Sequence, residues 1–156
     1  INIKFIKEKK PLGTAGGLFF LKKKKFKNFI ITNSDVLTSM NYSNFLKFHK
    51  QNKSNITIAG KKEKFKIPFG IINKLKDNLI DISEKPCFNF IVNAGIYILD
   101  RKIINKLSKP KHLQMTDLIK KIKDKKILKK IFILHENWID IGSINDLKKA
   151  NSNEKF

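Results

Sequence analysis

The sequence predicts an α/β fold, a mostly parallel sheet carrying an inserted antiparallel section. Three observations predict it. Short apolar or β-branched runs alternate with helix-spaced segments at both ends of the chain. Between those ends lie several strand-length runs separated by turn residues rather than by helices. Finally, 156 residues, 41% of them hydrophobic and 13 of them Phe, suffice for the core of one domain but not of two ordinary ones.

Taken in order, Ile1, Ile3 and Phe5 alternate with polar residues, the pattern of a half-buried strand. Leu12-Gly13-Thr14-Ala15-Gly16-Gly17 follows as a glycine-rich turn, with Thr14 placed to cap a short helix through Leu21. Phe29-Ile30-Ile31-Thr32 is a continuous apolar run of the kind buried on both faces of a sheet, and it ends in the polar triplet Asn33-Ser34-Asp35. Tyr42, Phe45, Leu46 and His49 recur at helical spacing, so a helix runs to Gln51 with Ser43 as its N-cap. Residues 55–59, 67–73 and 79–83 read as strands, the last two joined by the turn Lys76-Asp77-Asn78. Residues 90–99 form the longest strand, interrupted by Gly95, and 102–107 read as helical. Met115, Leu118, Ile119 and Ile122 place an amphipathic helix over 116–125, and 131–134 is a strand. Ser143 and Asp146 open a last helix as a capping box with Asp in place of Glu. Residues 152–156 read as a tail.

Composition narrows the function classes. The single cysteine, Cys87, rules out an intramolecular disulfide and fits a cytoplasmic setting; it reads as a small, half-buried packing residue, with no His beside it to activate a thiolate. Lysines interrupt every apolar stretch, so no membrane span is expected, and nothing resembles a signal peptide. The net charge of +21 invites a nucleic-acid reading. Against it, Arg101 is the only arginine, whereas groove readers and phosphate clamps favour arginine's planar fork. Lys, Ile, Asn and Phe are inflated together, as A- and T-rich codon usage would do, and Lys120, Lys121, Lys123 and Lys125 spread around one helix instead of forming a stripe.

Individually the chemistry-bearing motifs are modest. The stretch from Leu12 to Gly17 is either a phosphate cradle or a plain tight turn; it matches neither the P-loop nor the dinucleotide fingerprint. Asp35 closes a strand at the carboxyl end, where ligand sites of α/β sheets lie, so it is either a metal ligand or a turn cap. Asp140, within Trp138-Ile139-Asp140-Ile141-Gly142, either faces outward on a strand or sits in a site. Together the two acids could hold one Mg²⁺, but spacing alone does not bring them together. Ser83-Glu84-Lys85-Pro86 reads as a solvated ion pair at a strand end.

In combination and order these segments, with Pro68-Phe69-Gly70-Ile71-Ile72 and Asn93-Ala94-Gly95-Ile96-Tyr97, resemble the sugar-1-phosphate nucleotidyltransferase family, its mannose-1-phosphate guanylyltransferase-like and glucose-1-phosphate thymidylyltransferase-like members above all. The resemblance runs from Pro11 to Asn151. It implies a Rossmann-like fold and transfer of a nucleoside monophosphate from a nucleoside triphosphate to a sugar 1-phosphate, guanylyl transfer to a mannose or aminosugar phosphate in particular. It implies that Leu12, Gly13 and Thr14 lie along base and ribose, and that Asp35 and Asp140 bind the catalytic Mg²⁺. Gly70, Glu84, Asn93 and Gly95 would meet the sugar, and Lys85 its phosphate.

The family's glycine-rich loop after the first strand, with an arginine and a Pro-Lys pair, has no match here. The expectation is therefore that residues 1–151 are the C-terminal part of a nucleotidyltransferase domain whose N-terminal strands are missing, inactive in isolation. The partners expected are a nucleoside triphosphate and a sugar 1-phosphate, with no specific nucleic acid and no membrane; homo-oligomerisation stays open. The alternatives are a lysine-rich nucleic-acid-binding domain and a catalytically incomplete regulatory homologue.

Overall fold

The computed structural model describes residues 2–152. At its centre is a four-stranded sheet in the order β1-β6-β3-β7, formed by β1 (Asn28–Thr32), β3 (Ile56–Lys66), β6 (Cys87–Asp100) and β7 (Lys129–Leu134). β3 and β7 pair in parallel, and β6 runs antiparallel to both β1 and β3. Three of the four strands therefore point the same way, with β6 threaded against them. Alternate residues of β6 feed two different cores. Tyr97 and Leu99 pack with Leu18, Ile103, Met115 and Leu118, while Ile96 and Ile98 pack with Phe45, Ala59 and Leu134. Burial on both faces is why this stretch is apolar without alternation.

Helices cover both faces. On one side lie α1 (Gly13–Gly16) with the 3₁₀ helix Gly17–Lys23, α3 (Arg101–Asn105) and α4 (Met115–Lys121). On the other lies α2 (Tyr42–Gln51), whose Phe45 is fully buried. The cap of α2 is Asn41, whose side chain accepts from the Asn44 N–H at 3.0 Å, and not Ser43. Asn competes well with Ser for that position, and one residue of phase is not fixed by hydrophobic spacing. The box that opens α5 (Ile144–Ser152) is present: the Asp146 N–H donates to Ser143 Oγ, whose hydroxyl donates to the Asp146 carboxylate.

Several expectations are corrected. Residues 2–7 belong to no regular element, with Ile3 70% and Phe5 93% exposed, and Ile1 lies outside the described residues. Alternation makes a strand only where a neighbouring strand supplies the ladder. α4 stops at Lys121 because Ile122 takes extended backbone, although its side chain is still buried. Residues 67–70 are not strand; β4 (Ile71–Leu75) starts later and pairs with β5 (Asn78–Ser83) as a separate hairpin. Cys87 is exposed rather than half-buried. Of the tail, Ser152 ends α5 and the remainder lies outside the described residues.

β3 and β6 continue beyond the core as an extended ladder from Lys61 opposite Val92 to Lys66 opposite Cys87, and the β4–β5 hairpin hangs from its far end. Phe65, Phe88 and Phe90 gather on this arm with ring centroids 5.7 and 6.2 Å apart, yet stay 40–52% exposed. Two three-residue strands, β2 (Val36–Thr38) and β8 (Trp138–Asp140), form one more antiparallel pair at the edge of the core. No helix among the described residues is long and apolar enough to cross a membrane.

Candidate active site

The β2–β8 pair brings the two predicted acids together. Val36 stands opposite Asp140, and the Ile141 N–H donates to the Asp35 carbonyl at 2.7 Å. Asp35 and Asp140 are thus neighbours across a short ladder, 105 positions apart in sequence, and both side chains are exposed. Trp138 anchors β8 to the central sheet, since its indole N–H donates to the Ala94 carbonyl at 2.9 Å.

β1 delivers Asp35 to this point, and β6 shapes the ground beside it. The Asn33 N–H donates to the Gly95 carbonyl at 2.9 Å, which closes the end of the β1–β6 ladder. Gly95 has φ +72°, a left-handed shape that lets the chain turn close to Asn33. Its own N–H donates to the Asn93 side chain at 3.2 Å, and the Asn93 amide donates to the Tyr97 hydroxyl at 2.6 Å. Burial pushes the Tyr97 hydroxyl above its ordinary pKa, so it stays a neutral partner for that amide.

The glycine-rich stretch closes the other side. Thr14 lines a cleft of about 310 Å³ together with Thr32, Asn33, Ser34 and Asp35. The structure therefore places Thr14 and Asp35 in one cleft, sets the backbone of Asp140 beside that of Asp35 across the β2–β8 ladder, and joins Gly95 to Asn33 at the end of β1. Leu12 and Gly13 adjoin Thr14 in the same turn. Gly70, Glu84 and Lys85 form a second group. Gly70 faces the Glu84 carboxylate, and Glu84 pairs with Lys85 at 3.9 Å, both of those side chains being more than half exposed. They sit at the base of the β4–β5 hairpin, and eight residue steps along β6, about 26 Å of strand, separate Cys87 from Gly95.

Asn33 belongs to the site although only its neighbour was assigned a role; the polar triplet at the strand end was the signal. Gln114 carries no motif of its own. It contacts Thr14 from 100 positions away, which no local pattern announces. Arg101 is structural: its guanidinium donates to the carbonyls of Phe26, Lys22 and Lys24 and lies over the Phe29 ring. Among the described residues no cluster of three or more His, Cys, Asp or Glu could hold a metal ion.

The chain as a whole is similar to known proteins. The family model described as Nucleotidyl transferase matches residues 1–155. Mannose-1-phosphate guanyltransferase 2 of Candida glabrata is 33% identical over 156 residues, which cover 94% of this chain and 42% of that protein. HddC from Yersinia pseudotuberculosis superposes with a TM-score of 0.66 at 26% identity, over 92% of this chain and 63% of that one. The same protein complexed with GMP-PN superposes with a TM-score of 0.64 at 26% identity, over 94% of this chain and 64% of that one. The chain thus spans less than half the length of the curated relative and under two thirds of the solved one.

Proposed function

Because this chain belongs to the nucleotidyl transferase family, we propose that it supplies the metal- and sugar-facing part of a sugar-1-phosphate nucleotidyltransferase domain, spanning residues 1–151. The observation that carries this reading is the backbone approach of Asp35 and Asp140 across β2 and β8, with Asp35 in the cleft that Thr14 lines. Two exposed carboxylates suit Mg²⁺, which takes few protein carboxylates and completes its shell with phosphate and water. Bound there, the ion would offset charge on the triphosphate.

The reaction proposed is an in-line displacement. An oxygen of the sugar 1-phosphate attacks the α-phosphorus of the nucleoside triphosphate. A new P–O bond forms as the bond to the β-phosphate oxygen breaks, and pyrophosphate leaves. No side-chain nucleophile enters, so the protein's work is positioning and charge. Leu12, Gly13 and Thr14 lie along the base and ribose. Asn93 and the Gly95 backbone line the sugar pocket. Gly70 and Glu84 meet sugar hydroxyls and Lys85 pairs with the sugar phosphate; these three roles rest on the motif order, not on contact with Asp35. Guanylyl transfer to a mannose or aminosugar phosphate is the version we favour, on the similarity to a mannose-1-phosphate guanyltransferase.

The test is pyrophosphate release by the full-length protein containing this chain, over a matrix of triphosphates and sugar 1-phosphates. GTP with mannose 1-phosphate or an aminosugar 1-phosphate is expected to give the highest kcat/KM. Asp140→Asn is expected to lower Mg²⁺-dependent kcat by about 10²-fold or more. Full activity in that variant would remove Asp140 from the metal site.

A further inference from the structure

The glycine-rich turn is held from outside by a segment far along the chain. The Leu113 N–H donates to the Leu12 carbonyl at 2.8 Å, and the Ala15 N–H donates to the Leu113 carbonyl at 2.9 Å. Between these two bonds sit Gly13 and Thr14. Gly13 has φ +71°, and a Cβ there would stand 2.8 Å from the Leu113 carbonyl oxygen, so the turn lies flat against this segment.

The side chains finish the clamp. The Thr14 hydroxyl accepts from the Met115 N–H at 2.8 Å and donates to Gln114 Oε1 at 3.0 Å. The Thr14 N–H points to the same oxygen at 3.4 Å. Met115 is the first residue of α4, so its N–H is one of the donors a helix leaves without an internal partner. Gln114, at the N-cap position, makes no capping bond of its own to α4. Thr14 caps that helix instead, and Gln114 is left to hold Thr14. A single acceptor oxygen thus fixes both the backbone N–H and the hydroxyl of the residue that lines the cleft beside Asp35.

We propose that Gln114 is a positioning residue for the nucleotide: acting through Thr14, it sets the backbone of the Leu12-Gly13-Thr14 turn on which base and ribose rest. This rests on the function proposed above. Gln114 acts only through the turn, so its loss weakens nucleotide binding more than sugar-phosphate binding or the chemical step.

The test is steady-state kinetics of the full-length protein with GTP and mannose 1-phosphate, together with thermal melting. Gln114→Met keeps the volume and removes the acceptor. It is expected to raise KM for GTP by up to about tenfold, the scale of one lost hydrogen bond, and to leave kcat and KM for mannose 1-phosphate within about twofold. Gln114→Glu restores an acceptor oxygen and is expected to bring KM for GTP back to within about threefold of the unmodified value. An unchanged KM for GTP in Gln114→Met overturns the assignment. So does a lowered Tm with both KM values rising together, which is what loss of packing alone would give. No turnover by the unmodified protein sinks the functional reading, and the assignment with it.

Discussion

Gly95 is the residue on which the strand-end site depends most for its shape. Its backbone has φ +72°, and a Cβ built there would approach Asn33 Nδ2 to 2.9 Å and Val36 Cγ2 to 3.2 Å. Both neighbours flank Asp35, so Gly95→Ala would push on the segment that carries Asp35, the proposed metal ligand. The backbone penalty and the contact together predict a loss of about 1–3 kcal/mol in stability, read from urea or guanidinium midpoints. Activity of the full-length protein should fall with it, because Asn33 and Asp35 shift. An Ala variant as stable as the parent would show that the turn relaxes freely. At this scale the sequence was informative about identity and silent about partnership. Asp35, Asp140 and Thr14 each stood as a candidate beside a plainer alternative, and only the order of motifs along the chain joined them. The bond between Ile141 and Asp35 was not, nor was the reach of Gln114, because both join positions about 100 apart and leave no periodic trace.

At the scale of elements, α2 carries a titratable group the core cannot easily charge. His49 is 2% exposed, and its Nδ1 lies 2.7 Å from the Thr57 hydroxyl. Burial holds its imidazole below the ordinary 6.5, while nearby Asp100 pulls the other way. The folded state therefore binds fewer protons than the unfolded one as pH falls toward and below about 6.5. Stability linked to His49 is present above that value and is lost progressively at lower pH. Tm is expected to fall between pH 7.5 and 5.5, and His49→Gln, which keeps a polar contact without a titration, should flatten that slope while lowering Tm overall. An equal slope in both proteins would place the pH dependence elsewhere. Element prediction worked where apolar spacing was sustained, as in α2, β6 and β7. It failed where a partner decides. Residues 2–7 alternate correctly but have no ladder, and β2 and β8 are three residues each, too short for a pattern, yet they alone join the two acids.

For the whole molecule, the order of motifs along the chain carried the family, whereas the charge carried almost nothing. That charge still has a physical consequence. The chain is at +21, and the ion pairs of Lys85 with Glu84 and of Lys106 with Asp124 are both exposed. Exposed pairs of this kind contribute about 0–1 kcal/mol each, so the excess positive charge is not neutralised internally. It repels itself most strongly when the chain is compact, and less once unfolding spreads it out. Salt shortens the reach of that repulsion, from about 30 Å at 0.01 M to about 8 Å at 0.15 M. The repulsion is thus removed preferentially from the folded state, and Tm is expected to rise by several degrees over that range in sodium chloride. Sulfate at equal ionic strength separates screening from anion binding: an identical rise means screening, an additional rise that saturates with sulfate means a defined site, and one that keeps growing means exclusion of sulfate from the surface. A Tm that stays flat or falls with sodium chloride would mean that the lysines already sit far enough apart for their field to cost the fold nothing.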